Sequence, residues 1–171
     1  MTSLIAQVRL LIGDPASGAP VFSDDQLQLF LDNQATSVLY ERLTPEPTVQ
    51  PGGATEYLTW RASGGWWEAS EALTDSGYNV LTPATVNQQI GRWTFDEHQS
   101  AVLLRGTRYD VHLAAAEAVD AWMAIVAREF YFRADGADFK RSQQMKNLAE
   151  LARSLRSKAG GGGVLTAQML V

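Results

Sequence analysis

The sequence predicts an α+β fold: a four-helix core, built from two short N-terminal helices and two longer C-terminal ones, with an inserted small antiparallel β module and a flexible C-terminal arm. Three observations lead to it. Apolar residues recur at helical spacing near both ends of the chain. Between them, aromatics and Thr/Val gather in short runs separated by turn residues. Four consecutive glycines, Gly160 to Gly163, then cut an apolar ending off from the last helical stretch. At 171 residues, with 46% apolar and 19% charged residues, the chain is long enough and apolar enough for a sizeable buried core.

The first helix is expected over about Ser3 to Ile12, with Leu4, Val8, Leu11 and Ile12 on one face and Gly13 as its C-terminal stop. "GDPASGAPV" is a loop by its Pro and Gly content. In "FSDDQL", Ser23 caps free N–H groups and Gln26 reaches back to the cap residue. Phe22 and Leu27 are placed for a hydrophobic staple, and Asp24 and Asp25 favour the positive helix end. This second helix is expected to run to about Asn33–Tyr40, with Leu27, Phe30, Leu31 and Val38 inward. "TPEPTVQPGG" holds three prolines and two glycines, and is expected to lack regular structure and mark a boundary.

Four of the five tryptophans (Trp60, Trp66, Trp67 and Trp93) fall in the following stretch. "EYLTWRA", "WWEASEALT", "YNVLTP", "GRWTF" and "AVLLRG" read as short strands, about four to six in all, forming a sandwich or partial barrel. "TDSGY" reads as a hairpin loop with Gly77 left-handed. From Asp110, expected as the N-cap, the period returns to 3.6. Val111, Ala115, Ala118, Val119, Trp122, Ile125 and Val126 form the inward face of a long helix. "RADGADF" breaks it, and a last helix over about Phe139 to Lys158 points Met145, Leu148, Leu151, Ala152 and Leu155 inward. The expected organisation is 1–45 for the N-terminal helices, 55–108 for the β insertion, 109–159 for the C-terminal helices and 160–171 for the tether and arm.

Net charge is −5, which disfavours a simple nucleic-acid coater, yet the charge is uneven. Lys140 to Lys158 carries six basic residues against one acid, whereas residues 1–110 carry six basic and thirteen acidic ones. Such polarity suits charge-steered docking between chains. Without cysteine there are no disulfides or thiolate metal sites, and no stretch approaches a membrane span, so the chain reads as soluble and made in the cytoplasm.

Catalysis finds little support. His98 sits in polar "DEHQS", an exposed loop, and His112 lies in the first turn of the long helix beside Asp110. Asp96, Glu97 and His98 are adjacent and cannot all point to one metal. No zinc-protease, Walker, nucleophile-elbow or dinucleotide motif is present. The expectation is no enzyme, no cofactor, no metal and no membrane partner. Trp66 and Trp67, adjacent on an expected strand, should face opposite sides, one entering the core and the other serving as a contact anchor.

The segments "LIAQVRLLIGD", "VFSDDQLQLFLD", "YDVHLAAAEAVDAWMAIVAREFYF" and "ADGADFKRSQQMKNLAELARSLRSKA" together resemble the head-to-tail connector (adaptor, or head-completion) proteins of long-tailed bacteriophages. The resemblance covers both helical flanks, roughly 3–34 and 108–159, and rests on order and spacing; the β insertion departs from the minimal all-helical members. It implies a structural virion protein of the neck that forms a ring, commonly of about twelve copies, beneath the portal. Such a ring extends the DNA channel and receives the next neck or tail protein. Its contact with genomic DNA does not read sequence.

The resemblance also implies that the C-terminal arm docks on the portal protein. Here that arm is Gly160 to Gly163 as tether, followed by Val164, Leu165, Met169, Leu170 and Val171 as its apolar docking residues. Lys146, Arg153, Arg156 and Lys158 are then ring or portal contacts, and Trp66 or Trp67 the contact of the β module. Two alternatives stay open: another neck component, such as a stopper or tail-completion protein, and a free-standing module binding sugar or nucleic acid through the Trp-rich region.

Overall fold

A computed structural model of the chain describes residues 3–49, 52–130 and 138–159. It is a mixed α+β protein with four helices and two antiparallel sheets among those residues. The chain divides into two compact units, one of residues 1–34 with 110–160, the other built on Ala35–Tyr109.

In the helical unit, α1 (Leu4–Ile12) starts at Ser3, whose hydroxyl accepts from the Ala6 N–H, and ends on Gly13 at φ 70°. The second helix, α2 (Asp24–Asn33), opens with the expected capping box: Ser23 Oγ accepts from the Gln26 N–H, and Gln26 Oε1 from the Ser23 N–H. Phe22 and Leu27 are both buried, and the Phe22 ring meets Phe30 edge to face. The long helix α3 (Val111–Phe130) is capped by Asp110, whose Oδ1 accepts from the His112 and Leu113 N–H groups. It packs against α1, α2 and α4 (Asp138–Lys158).

Ala114, Ala115 and Ala116 are all buried, although successive helical residues point about 100° apart. The start of α3 is therefore covered on most of its circumference, which only small side chains permit at close helix spacing. Leu148, Ala152 and Leu155 of α4 are buried with them, while Trp122 and Phe30, expected in the core, are half-buried.

Among the described residues the β unit holds eight strands: β1 (Ala35–Arg42), β2 (Thr44–Val49), β3 (Thr55–Arg61), β4 (Ala72–Thr74), β5 (Val80–Leu81), β6 (Thr85–Asn87), β7 (Arg92–Thr94) and β8 (Leu103–Tyr109). One sheet runs β1-β8-β4-β5 and the other β2-β3-β7-β6. Leu73 and Leu104 of the first sheet share one buried cluster with Trp60 and Trp93 of the second, joined by Leu43, Trp67, Phe95 and Val102 from the connections. Trp67 and Trp93 meet edge to face at 6.1 Å. Their indole N–H groups are satisfied, Trp67 by the Gly64 carbonyl at 2.8 Å and Trp93 by Glu71 Oε1 at 3.2 Å.

Several expectations are corrected. The second helix ends at Asn33, the near end of the expected range, and Val38, expected on its inward face, lies instead in residues 35–42, which pair antiparallel with β8, Ala35 opposite Tyr109. The helical segment thus ends at residue 34, not 45, and the β unit begins at 35, not 55. "TPEPTV" is not irregular but forms β2, an edge strand, where a proline's missing N–H is tolerated; its register shifts between Glu46 and Thr48, around Pro47. The strands among the described residues number eight where about four to six were expected, β6 lying between the runs "YNVLTP" and "GRWTF". In the β4–β5 hairpin the left-handed residue is Tyr78 at φ 62°, not Gly77.

Candidate interaction surfaces

On α4, Lys146, Arg153, Arg156 and Lys158 are all exposed. Lys146 and Arg153 are seven residues apart and so lie on one face. Arg156 is committed within the unit: its guanidinium pairs with Asp120 of α3, bracing the two helices. The stripe through Leu148, Ala152 and Leu155 is buried, so Lys146 and Arg153 lie on the side of the helix away from it, together with the exposed Glu150, while Arg156 and Lys158 flank the stripe on its two sides.

The two adjacent tryptophans do not alternate along a strand. Trp66 has φ 62°, and its N–H donates to the Gln89 carbonyl at 3.2 Å while its carbonyl accepts from the Tyr109 N–H at 3.1 Å. Trp67 forms only an isolated bridge to Arg108 and is 3% exposed in the core. Of the pair, Trp66 alone, half-buried, has surface to offer a partner.

A second aromatic feature has no signature in the sequence. Tyr40, in the β1 bulge between Val38 and Glu41, and Tyr78, in the β4–β5 loop, are both exposed, and their rings meet edge to face at 5.2 Å. Both have positive φ, 56° and 62°, an uncommon conformation for bulky residues. Leu39 and Val80 beside them are 72% and 79% exposed. No local signal marks this patch, because Tyr40 and Tyr78 are brought together only by the pairing of the sheet.

His98 has a structural role here: its Nδ1 accepts from the Tyr57 N–H at 3.2 Å and its ring leans on the Tyr57 ring. The loop carboxylate Asp75 accepts from the backbone N–H groups of Gly77 and Asn79 and from the Asn79 amide at 2.8–2.9 Å. These bonds, the Asn79 side chain first, hold its carboxyl below the ordinary carboxylate range. Among the described residues no three His, Asp or Glu side chains are grouped to hold a metal ion, and no helix is long and apolar enough to cross a membrane. The arm residues Gly160, Gly163, Val164, Leu165, Met169, Leu170 and Val171 lie outside the described residues. No protein-family model, curated protein or solved structure matches the chain.

Proposed function

We propose that this chain is a head-to-tail adaptor: a structural virion protein that assembles as a ring under the portal of a long-tailed phage, extends the DNA channel and joins capsid to neck and tail. The observation that carries the reading is the two-part build. Residues 1–34 and 110–160, far apart in sequence, belong to one compact helical unit, and the 75 residues between them, Ala35–Tyr109, make a separate two-sheet unit. A helical frame with an inserted module matches the order of the segments that resemble the connectors.

In this reading the four helices form the protomer's frame, and the exposed Lys146, Arg153 and Lys158 meet acidic surface on a ring neighbour or the portal. Arg156, already paired with Asp120, contributes less. Trp66 is the contact of the β module, and the segment from Gly160 onward is a tethered arm that joins the subunit to its assembly. A sugar- or base-stacking module is less well supported, since Trp60, Trp67 and Trp93 are buried and present no aromatic platform.

The test is reconstitution. The purified chain is added to DNA-filled heads that carry the portal encoded in the same genome but lack a neck, and the portal vertex is imaged by electron cryo-microscopy. The adaptor reading expects an added ring of density at that vertex and retention of DNA in the head. Heads that remain bare at saturating protein would refute it.

A further inference from the structure

The two sheets have four edges, and they are not equally protected. Strand β5 has two residues and β6 three, too short to template a partner, and β2 carries Pro45 and Pro47. Strand β1 is different. Among the described residues it pairs with β8 on one side and with no strand on the other, over eight residues without a proline or glycine. Its first charged residue is Glu41. Ala35, Thr36, Ser37, Leu39 and Tyr40 are exposed. The bulge at Leu39–Tyr40 limits the regular run to Ala35–Val38 and places Leu39, with Tyr40 and Tyr78, at its end as an apolar step. A row of open backbone donors and acceptors beside an apolar step is what an added strand needs: hydrogen bonds for affinity and a seat for alternate side chains.

The chain itself supplies a segment of that chemistry. "VLTAQMLV", Val164 to Val171, has no charged side chain, no proline and no glycine. Read with the strand period of two, it sets Leu165, Ala167, Met169 and Val171 on one side and Val164, Thr166, Gln168 and Leu170 on the other. One side is wholly apolar, and a methionine thioether suits an exposed tyrosine ring. Gly160 to Gly163 precede it, a tether that spans up to about 13 Å when extended and imposes little direction.

We propose that Val164–Val171 is the strand that completes the β1 edge of the β unit. The open edge and the matching segment carry the pairing itself; an arm in a neighbouring copy's edge agrees with the adaptor reading, whereas an arm closed on its own chain removes the assembly role given to the arm there.

Because the chain has no cysteine, the pairing can be read with single introduced pairs in the full-length protein. Thr36→Cys is combined in turn with Thr166→Cys, Ala167→Cys and Gln168→Cys, and oxidised mildly; Thr85→Cys on the β6 edge replaces Thr36→Cys as the control. The proposal expects disulfides with Thr36→Cys at one register and far fewer with the control. A product of monomer mobility on a non-reducing gel reports an arm closed on its own chain, and a dimer or ladder an arm in a neighbour's edge; either carries the proposal. Equal cross-linking to both edges, or none to either, overturns it.

A second measurement needs no cysteine. The full-length Leu165→Asp/Met169→Asp variant should exchange its backbone amides over residues 35–38 faster than the parent, with β3 and α3 unchanged. Identical exchange of β1 in the two proteins is the opposing result.

Discussion

The Arg9 guanidinium on α1 donates to Asp24 Oδ1 at 2.7 and 3.1 Å, so a residue only 8% exposed ties the first helix to the first turn of the second. The same group reaches Asp14 Oδ2 at 3.2 Å and the Phe22 carbonyl at 2.8 Å, and Asp14 in turn accepts from the Val21 and Phe22 N–H groups. One buried cation therefore organises the whole loop between the helices. Arg9→Ala leaves the 2%-exposed Asp14 carboxylate without its counter-ion and is expected to cost about 3 kcal/mol in urea unfolding at neutral pH. Arg9→Lys keeps the charge but not the fork and should fall between. A loss under about 1 kcal/mol for Arg9→Ala would show that the loop is held by other means.

Asp75 gives the β4–β5 hairpin a pH dependence. Its native pKa is depressed below 3.8, so the unfolded chain takes up the proton more readily than the folded one. The stabilisation is complete at neutral pH and fades as the pH falls below 3.8 through the native midpoint. An NMR titration should place the Asp75 carboxyl midpoint below that of an ordinary aspartate, with the Gly77 and Asn79 amides shifting along with it. In Asp75→Asn those amides should show no such step. A midpoint at or above 3.8 contradicts the geometry.

Adjacent tryptophans should separate stability from binding. Trp67→Ala empties a core position and is expected to cost about 3–5 kcal/mol by chemical denaturation. Trp66→Ala removes a half-buried ring and should cost about 1–2 kcal/mol. If the β unit docks through Trp66, the second variant stays folded and loses attachment to portal-bearing heads. Full attachment by a folded Trp66→Ala protein would remove Trp66 from the interface.

Gly91 has φ +65°, and a Cβ placed there would lie 2.2 Å from the Gly64 carbonyl oxygen and 3.1 Å from Trp67 Nε1. Gly91→Ala therefore combines backbone strain with a clash against backbone, and more than about 2 kcal/mol of destabilisation is expected. Gly13 has a similar φ of +70° but open space around it, so Gly13→Ala measures the strain alone, about 1 kcal/mol. Equal losses for the two variants would mean that the approach of Gly64 to Gly91 relaxes freely.

The helix starts were legible because their causes are local. Ser3, Ser23 and Asp110 each bond to N–H groups two or three residues along, so the signal and its partner share one short window. The interior of α3 was legible from its 3.6-residue period, although that period did not separate the buried Val119 from the half-buried Trp122. The candidate surfaces were read less fully. The exposure of the basic residues on α4 followed from their lying outside the Leu148, Ala152 and Leu155 stripe, but the Arg156–Asp120 pair needed α3 beside it. Trp66 and Trp67 could be named as a contrasting pair, yet which one is buried followed from the positive φ at Trp66, set by bonds to Gln89 and Tyr109.

By itself, then, the sequence determined the capped helices, their apolar faces, the β character of the middle of the chain and its uneven charge. Each of these depends on residues within a few positions of one another. Tertiary structure decided the rest. Residues 35–42 have no inward alternation, six of the eight being exposed, and become a strand only because β8 offers them a ladder. The prolines of β2 are accepted because that strand lies at an edge, where half of its backbone groups need no partner. Arg9 is buried because a loop brings Asp14 and Asp24 to it. The Tyr40–Tyr78 pair and the open β1 edge exist only once the sheet has closed, since register and edges are properties of paired strands and not of any one stretch of chain.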